Sequence, residues 1–109
     1  KTVSDSLTVW KLNAEEYAVP QRRKRVVLIG KRGTTEQIIP PPRVCKATDS
    51  KLEENLARAV NVSDALSDLP VLAAGEDGSE KDYISQPKTS YQSLMRGAIT
   101  VDDYLKTFR

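Results

Sequence analysis

The 109 residues suffice for one modest domain, and 39% hydrophobic with 29% charged residues excludes a fibre, a disordered tail or a membrane protein. No apolar run nears the roughly 18 residues a bilayer span needs, and the opening Lys1-Thr2-Val3-Ser4-Asp5 lacks the order of a signal peptide, so an intracellular compartment is expected. One cysteine, Cys45, and no histidine leave no internal disulfide and too few ligands for a conventional Cys/His zinc site. The net charge of +2 does not announce a nucleic-acid binder, but Arg22 to Arg25 with Lys31 and Arg32 gathers six of the 17 cations into eleven residues. An anionic partner would meet one face only.

In chain order, Leu7 to Leu12 is rich in strand formers and predicts a first strand. Asn13 to Tyr17 predicts a turn, since Pro20 biases Val19 towards extended backbone and stops a helix there. Arg23 to Ile29, closed by Gly30, predicts a second strand whose Val26-Val27-Leu28-Ile29 run suits a sheet buried on both faces. Two strands alone are not a stable domain in water, so the pair should belong to a larger sheet. Thr34 to Ala47, with Pro40-Pro41-Pro42, reads as a semi-rigid connector. Leu52, Leu56, Ala57 and Val60 have helix-like spacing and suggest a short helix within Asp49 to Val60. Ser63 is placed to cap a helix through Asp68, with Leu66 and Leu69 as its buried edge and Pro70 as the stop. Ala74 to Asp82 reads as an acidic solvated loop. Ser90 is placed to cap Tyr91 to Arg96, with Gly97 ending it in a left-handed conformation. Thr100 with Asp103 forms a capping box that opens a final helix from Val101 towards Phe108.

The usual catalytic groups are missing. There is no histidine base, no nucleophile elbow and no phosphate-cradling glycine loop. Cys45 has basic neighbours but no base partner and reads as a packing or linker cysteine. Glu15 and Glu16 point apart on any regular backbone and read as a solvated pair.

The distinctive segment is Asn13-Ala14-Glu15-Glu16-Tyr17-Ala18-Val19-Pro20-Gln21-Arg22-Arg23-Lys24-Arg25, followed by the apolar strand. On extended backbone Gln21, Arg23 and Arg25 share one face, an amide and two guanidinium forks suited to phosphate oxygens or base acceptors. From charge alone, a basic surface stretch competes with that reading. The segment resembles the Asn-Ala-x-x-Tyr-Gly-Val-Pro-Gln-x-Arg-x-Arg block of DNA (cytosine-5) methyltransferases. Ala18 departs from it, standing where the family usually has glycine, and a positive φ there would strain an alanine. Val62 to Pro70 resembles the short helix ending in Asp-Leu-Pro near the family's target-recognition region, and Tyr83, Pro87, Tyr91-Gln92 and Arg96 continue that pattern.

The resemblance implies an α/β fold class. The chain would be a fragment of an S-adenosylmethionine-dependent, Rossmann-like methyltransferase domain: an edge β-hairpin (residues 1–33), a linker (34–61), and the start of a small α+β target-recognition domain (62–109). It also implies base flipping, because a stacked cytosine is out of reach. In the family a cysteine attacks C6, a glutamate engages N3, and S-adenosylmethionine methylates C5. Carried over, Arg25 would contact the flipped base at O2, Arg23 would position the target strand, and Gln21 would support both. The nucleophile and the cofactor pocket would lie outside this chain, so the fragment alone is expected to be inactive. The implied partners are double-stranded DNA and, functionally, a cognate restriction endonuclease, with no membrane. Bacterial cytoplasm is the expected setting, with a nuclear enzyme as the alternative. A rival reading is a non-catalytic DNA-binding or assembly module, and a third is a generic basic interaction domain.

Overall fold

The computed structural model describes residues 5–51 and 55–108. Strand β1 (Ser6–Asn13) pairs antiparallel with β2 (Lys24–Lys31), in a register that runs from Ser6 opposite Lys31 to Asn13 opposite Lys24. Side chains alternate along a strand. One face of the hairpin therefore carries Ser6, Thr8, Trp10 and Leu12 with Arg25, Val27 and Ile29, and the other carries Leu7, Val9, Val26 and Leu28.

The first face is covered by the connector. Trp10 Nε1 donates to the Ile38 carbonyl (2.8 Å), the Ile38 N–H donates to Thr8 Oγ1 (3.0 Å), and Gln37 Nε2 donates to the Leu7 carbonyl (3.2 Å). Proline supplies no backbone donor, so Pro40-Pro41-Pro42 passes as irregular backbone and contributes an acceptor, the Pro41 carbonyl bonded by Tyr17 Oη. The second face differs from the expected two-sided burial. Leu7, Val9, Val26 and Leu28 are 60%, 51%, 61% and 64% exposed, because no described segment packs over them.

Residues 14–23 link the strands through a 3-10 turn (Ala14–Tyr17) and Ala18, whose φ of 62° and ψ of 28° lie in the left-handed region. A two-residue strand β3 (Cys45–Lys46) then pairs in parallel with β4 (Ala57–Arg58). This corrects the helix expected within Asp49 to Val60. Ala57 and Arg58 spend their backbone bonding on β3, while Leu52, the first residue of the helical pattern, lies outside the described residues.

Three short helices follow: α1 (Val62–Leu66), α2 (Ser90–Met95) and α3 (Val101–Lys106). The first two start one or two residues earlier than expected. Asn61, not Ser63, caps α1 in a box with Asp64, and Thr89, not Ser90, caps α2. In each case the residue with extended backbone holds the cap position, which is the geometry capping needs. The Thr100–Asp103 box of α3 and the left-handed Gly97, at φ 75°, are as anticipated. Leu66 and Leu69 do not form a buried edge. They are 52% and 42% exposed, and the interior beneath α1 is polar, filled by Asp68 and Gln92. Gln92 Nε2 donates to the Asp64 carbonyl and to Ser67 Oγ, both at 2.9 Å, and its Oε1 accepts from the Lys88 N–H at 2.7 Å.

A small apolar cluster joins these parts. Ala18, Cys45 and Tyr104 are buried, with Val44, Val60, Tyr91, Leu94 and Phe108 packed around them. The radius of gyration is 19.0 Å, against about 13 Å for a compact domain of this length.

Candidate functional site

The segment that carries the Gln-x-Arg-x-Arg pattern is held from behind at almost every residue before it turns outward. Glu15 is 4% exposed. Its carboxylate accepts from Thr48 Oγ1 (2.9 Å), the Thr48 N–H (3.4 Å) and Asn13 Nδ2 (3.2 Å). Burial pushes its pKa up, but these bonds, with the nearby Arg22 guanidinium, outweigh that and hold it below the usual value. The Glu16 carbonyl accepts from the Val44 N–H (2.9 Å), and its carboxylate pairs with Arg43 (2.7 Å). The Cys45 thiol donates to the Glu15 carbonyl at 3.0 Å, and Tyr104 Oη donates to the Ala18 carbonyl at 2.7 Å. Burial pushes both the Cys45 thiol and the Tyr104 phenol upward, so each keeps its proton and remains a donor. The expected solvated pair Glu15-Glu16 is thus corrected: Glu15 is an interior anchor, and Glu16 is tied to the connector.

On the outward side lie Gln21 to Arg25, all exposed. Gln21 sits in a tight turn closed by its N–H on the Val19 carbonyl (2.7 Å), and the Arg23 carbonyl extends the ladder by accepting from the Ala14 N–H (3.0 Å). Regular strand begins only at Lys24, so Gln21 belongs to the turn and Arg25 to β2. Arg25 stands opposite Leu12 on the covered face, and its Nη1 donates to the Lys24 carbonyl at 2.7 Å. Arg22 Nε comes within 3.7 Å of Glu15 Oε2 with the side chain 66% exposed, a weak pairing. Arg25 borders an open hollow of about 540 Å³ with Leu12, Asn13, Glu16, Lys24 and Asp49. Gln21 and Arg23 do not line it.

The arrangement offers a run of solvated cations on a rigid mount, suited to an anionic backbone or to the acceptor edge of a base. Downstream, Arg96 is occupied within the protein. Its Nε and Nη2 donate to Asp68 Oδ2 at 3.0 and 2.6 Å, Nη2 also donates to the Ser85 carbonyl at 2.7 Å, and its guanidinium carbon lies 3.6 Å from the Tyr83 ring centroid. That contact set stitches α1, the 83–85 stretch and α2 together. Glu15, Asp68 and Tyr104 were not legible as site-shaping residues, because their partners stand 28 to 86 positions away.

The chain belongs to the C-5 cytosine-specific DNA methylase family, which it matches over residues 7–102. Among known proteins it is 42% identical over 93 residues to the type II methyltransferase M.DdeI of Desulfomicrobium norvegicum, covering 82% of this chain and 20% of that protein. It is 36% identical over 104 residues to the type II methyltransferase M.AgeI of Thalassovita gelatinovora, covering 82% and 24%. It is 30% identical over 105 residues to DNA (cytosine-5)-methyltransferase 1 of Mus musculus, covering 80% and 6%. The chain therefore spans a quarter or less of these relatives' own length. No solved structure matches it.

Proposed function

We propose that this chain is the target-base segment of a DNA (cytosine-5) methyltransferase that flips a cytosine out of duplex DNA and methylates its C5. The observation that carries the reading is the mount. In a chain of this family, the loop from Asn13 to Gln21 is fixed by buried groups on one side and presents Arg22, Arg23, Lys24 and Arg25 to solvent on the other. Arg25, beside the hollow, contacts O2 of the flipped base and stabilises negative charge as a cysteine elsewhere in the protein adds to the ring. Arg23 positions the target strand, and Gln21 supports it from the turn.

S-adenosylmethionine supplies the methyl group, and its site belongs to the remainder of the protein. The hollow beside Arg25 does not fit it, because Lys11, Lys24 and Arg25 outnumber Glu16 and Asp49 around a ligand that is itself a sulfonium cation. Residues 1–33 are assigned to the edge of a Rossmann-like catalytic sheet. The uncovered apolar face of the hairpin supports this, since isolated two-stranded ribbons are marginal in water. Residues 34–61 are the linker, whose Gln37 and Ile38 are docked on the hairpin, and 62–109 begin the target-recognition unit. No helix among the described residues is long and apolar enough to cross a membrane. Two of the relatives are bacterial type II methyltransferases, which supports a bacterial cytoplasmic enzyme working beside a restriction endonuclease.

The test is transfer of labelled methyl groups from S-adenosylmethionine to unmethylated plasmid DNA by the intact protein. Label recovered as 5-methylcytosine is the expected result. DNA binding with no transfer would favour a non-catalytic DNA-binding module instead.

A further inference from the structure

Ala18 is the one non-glycine residue with positive φ among the described residues. Left-handed backbone is costly for any residue with a Cβ, and such a conformer persists only where its surroundings over-determine it. At Ala18 the surroundings are Cys45, buried in the same cluster and bonded to the Ala18 backbone, and a residue from the far end of the chain. Tyr104 Oη donates to the Ala18 carbonyl across 86 positions. The Tyr104 ring is only 4% exposed and meets the Tyr91 and Phe108 rings edge-on, at centroid distances of 6.0 and 5.2 Å. Upstream, the 3-10 turn is independently pinned by Glu15, Glu16 and Tyr17; downstream, the ladder resumes at Arg23 and Lys24. The backbone at Ala18 thus sets how residues 19–22 cross between two fixed ends.

We infer that Tyr104 is a positioning residue for base flipping: its hydroxyl latches Ala18 in the left-handed state and so sets the path of residues 19–22 into β2, which carries Arg25. The inference rests on the functional reading above, because it acts on the loop assigned to the target base. It also makes loop shape depend on the docking of α3, which lies in the stretch assigned to target recognition. A glycine at position 18 would hold the same backbone without a latch.

That asymmetry provides the test. Tyr104→Phe, Ala18→Gly and the double variant are made in the intact protein. Each is assayed for methyl transfer to unmethylated plasmid DNA and for the rate of native-state tryptic cleavage at Arg22 to Arg25. Tyr104→Phe should lower kcat about tenfold, from the loss of one buried hydrogen bond, while KM for DNA moves less than about twofold. Cleavage at the loop should quicken by a similar factor. Adding Ala18→Gly should return both readouts to those of the Ala18→Gly single variant. Wild-type behaviour in Tyr104→Phe overturns the latch, as does a deficit that glycine leaves untouched, which is what a purely stabilising tyrosine would give. If Tyr104→Phe fails to fold, the double variant decides: recovery of fold and kcat supports the latch, and failure of both sinks it. A wild-type protein that transfers no methyl group removes the functional reading, while the cleavage rates still decide the latch.

Discussion

Asp68→Ala strands a guanidinium. The Asp68 and Arg96 side chains are 4% and 15% exposed, so solvent can do little to compensate either charge. The substitution removes the two Arg96 bonds to Asp68 Oδ2, at 2.6 and 3.0 Å, and leaves Arg96 with the Ser85 carbonyl at 2.7 Å and the Tyr83 ring. Breaking one side of a buried pair costs roughly 3–5 kcal/mol, and the surviving contacts place this case at about 3 kcal/mol. Replacing both partners with apolar residues leaves no stranded charge, so Asp68→Leu with Arg96→Met should cost much less than the single changes would sum to. A local assay isolates the effect on this region. The Ile84 N–H donates to the Asp68 carbonyl at 3.0 Å and reports opening of this region. In the intact protein its hydrogen exchange should quicken by about a hundredfold or more in Asp68→Ala, and most of that should vanish in the double variant. Exchange at Ile84 within about threefold of wild type, or additive single and double effects, would refute the claim that the pair holds α1, the 83–85 stretch and α2 together.

Glu15 gives a pH dependence of definite sign. Its folded-state pKa is lowered from 4.5, so its stabilising contribution is fully present above that value and is lost as pH falls through the depressed one. Thermal unfolding of Glu15→Gln should therefore show a flatter decline than wild type on acidification below about pH 4.5; identical profiles would mean the Thr48 bonds do not govern this carboxylate. Gly97 has φ 75° with open space where a Cβ would stand, so Gly97→Ala pays only backbone strain, about 1 kcal/mol. Faster exchange of the Ala98 N–H, which bonds the Ser93 carbonyl, should report it, and an unchanged rate would count against a required left-handed cap.

What could be seen in advance was what is local. The Gly97 stop and the Thr100–Asp103 box rest on residues within a few positions of one another, and the β1–β2 hairpin on two neighbouring strand-forming runs. At Ala18 the resemblance raised only the question of a positive φ, and the structure answers it with a φ of 62°. What was hidden is long-range. Adjacent glutamates look solvated until Thr48 arrives 33 residues later to bury one of them. Ala57 carries a helical spacing that its parallel pairing with Cys45 overrides. Leu66 and Leu69 have the pattern of a buried edge, yet they line an open hollow, and the interior beside them is held by the Asp68, Gln92 and Arg96 network. At the candidate site the arginines were legible as chemistry, while the mount behind them, from Thr48, Cys45 and Tyr104, was not.

The assignment of Arg25 to the extruded base is tested most directly by comparing wild-type and Arg25→Ala intact protein for kcat of cytosine methylation and for DNA affinity at one fixed salt concentration. Loss of a donor that acts on charge developing in the reaction predicts a fall in kcat of about a hundredfold or more, with DNA affinity reduced only about threefold, as for one phosphate-range cation. Equal losses in rate and affinity would contradict it and make Arg25 an ordinary backbone contact.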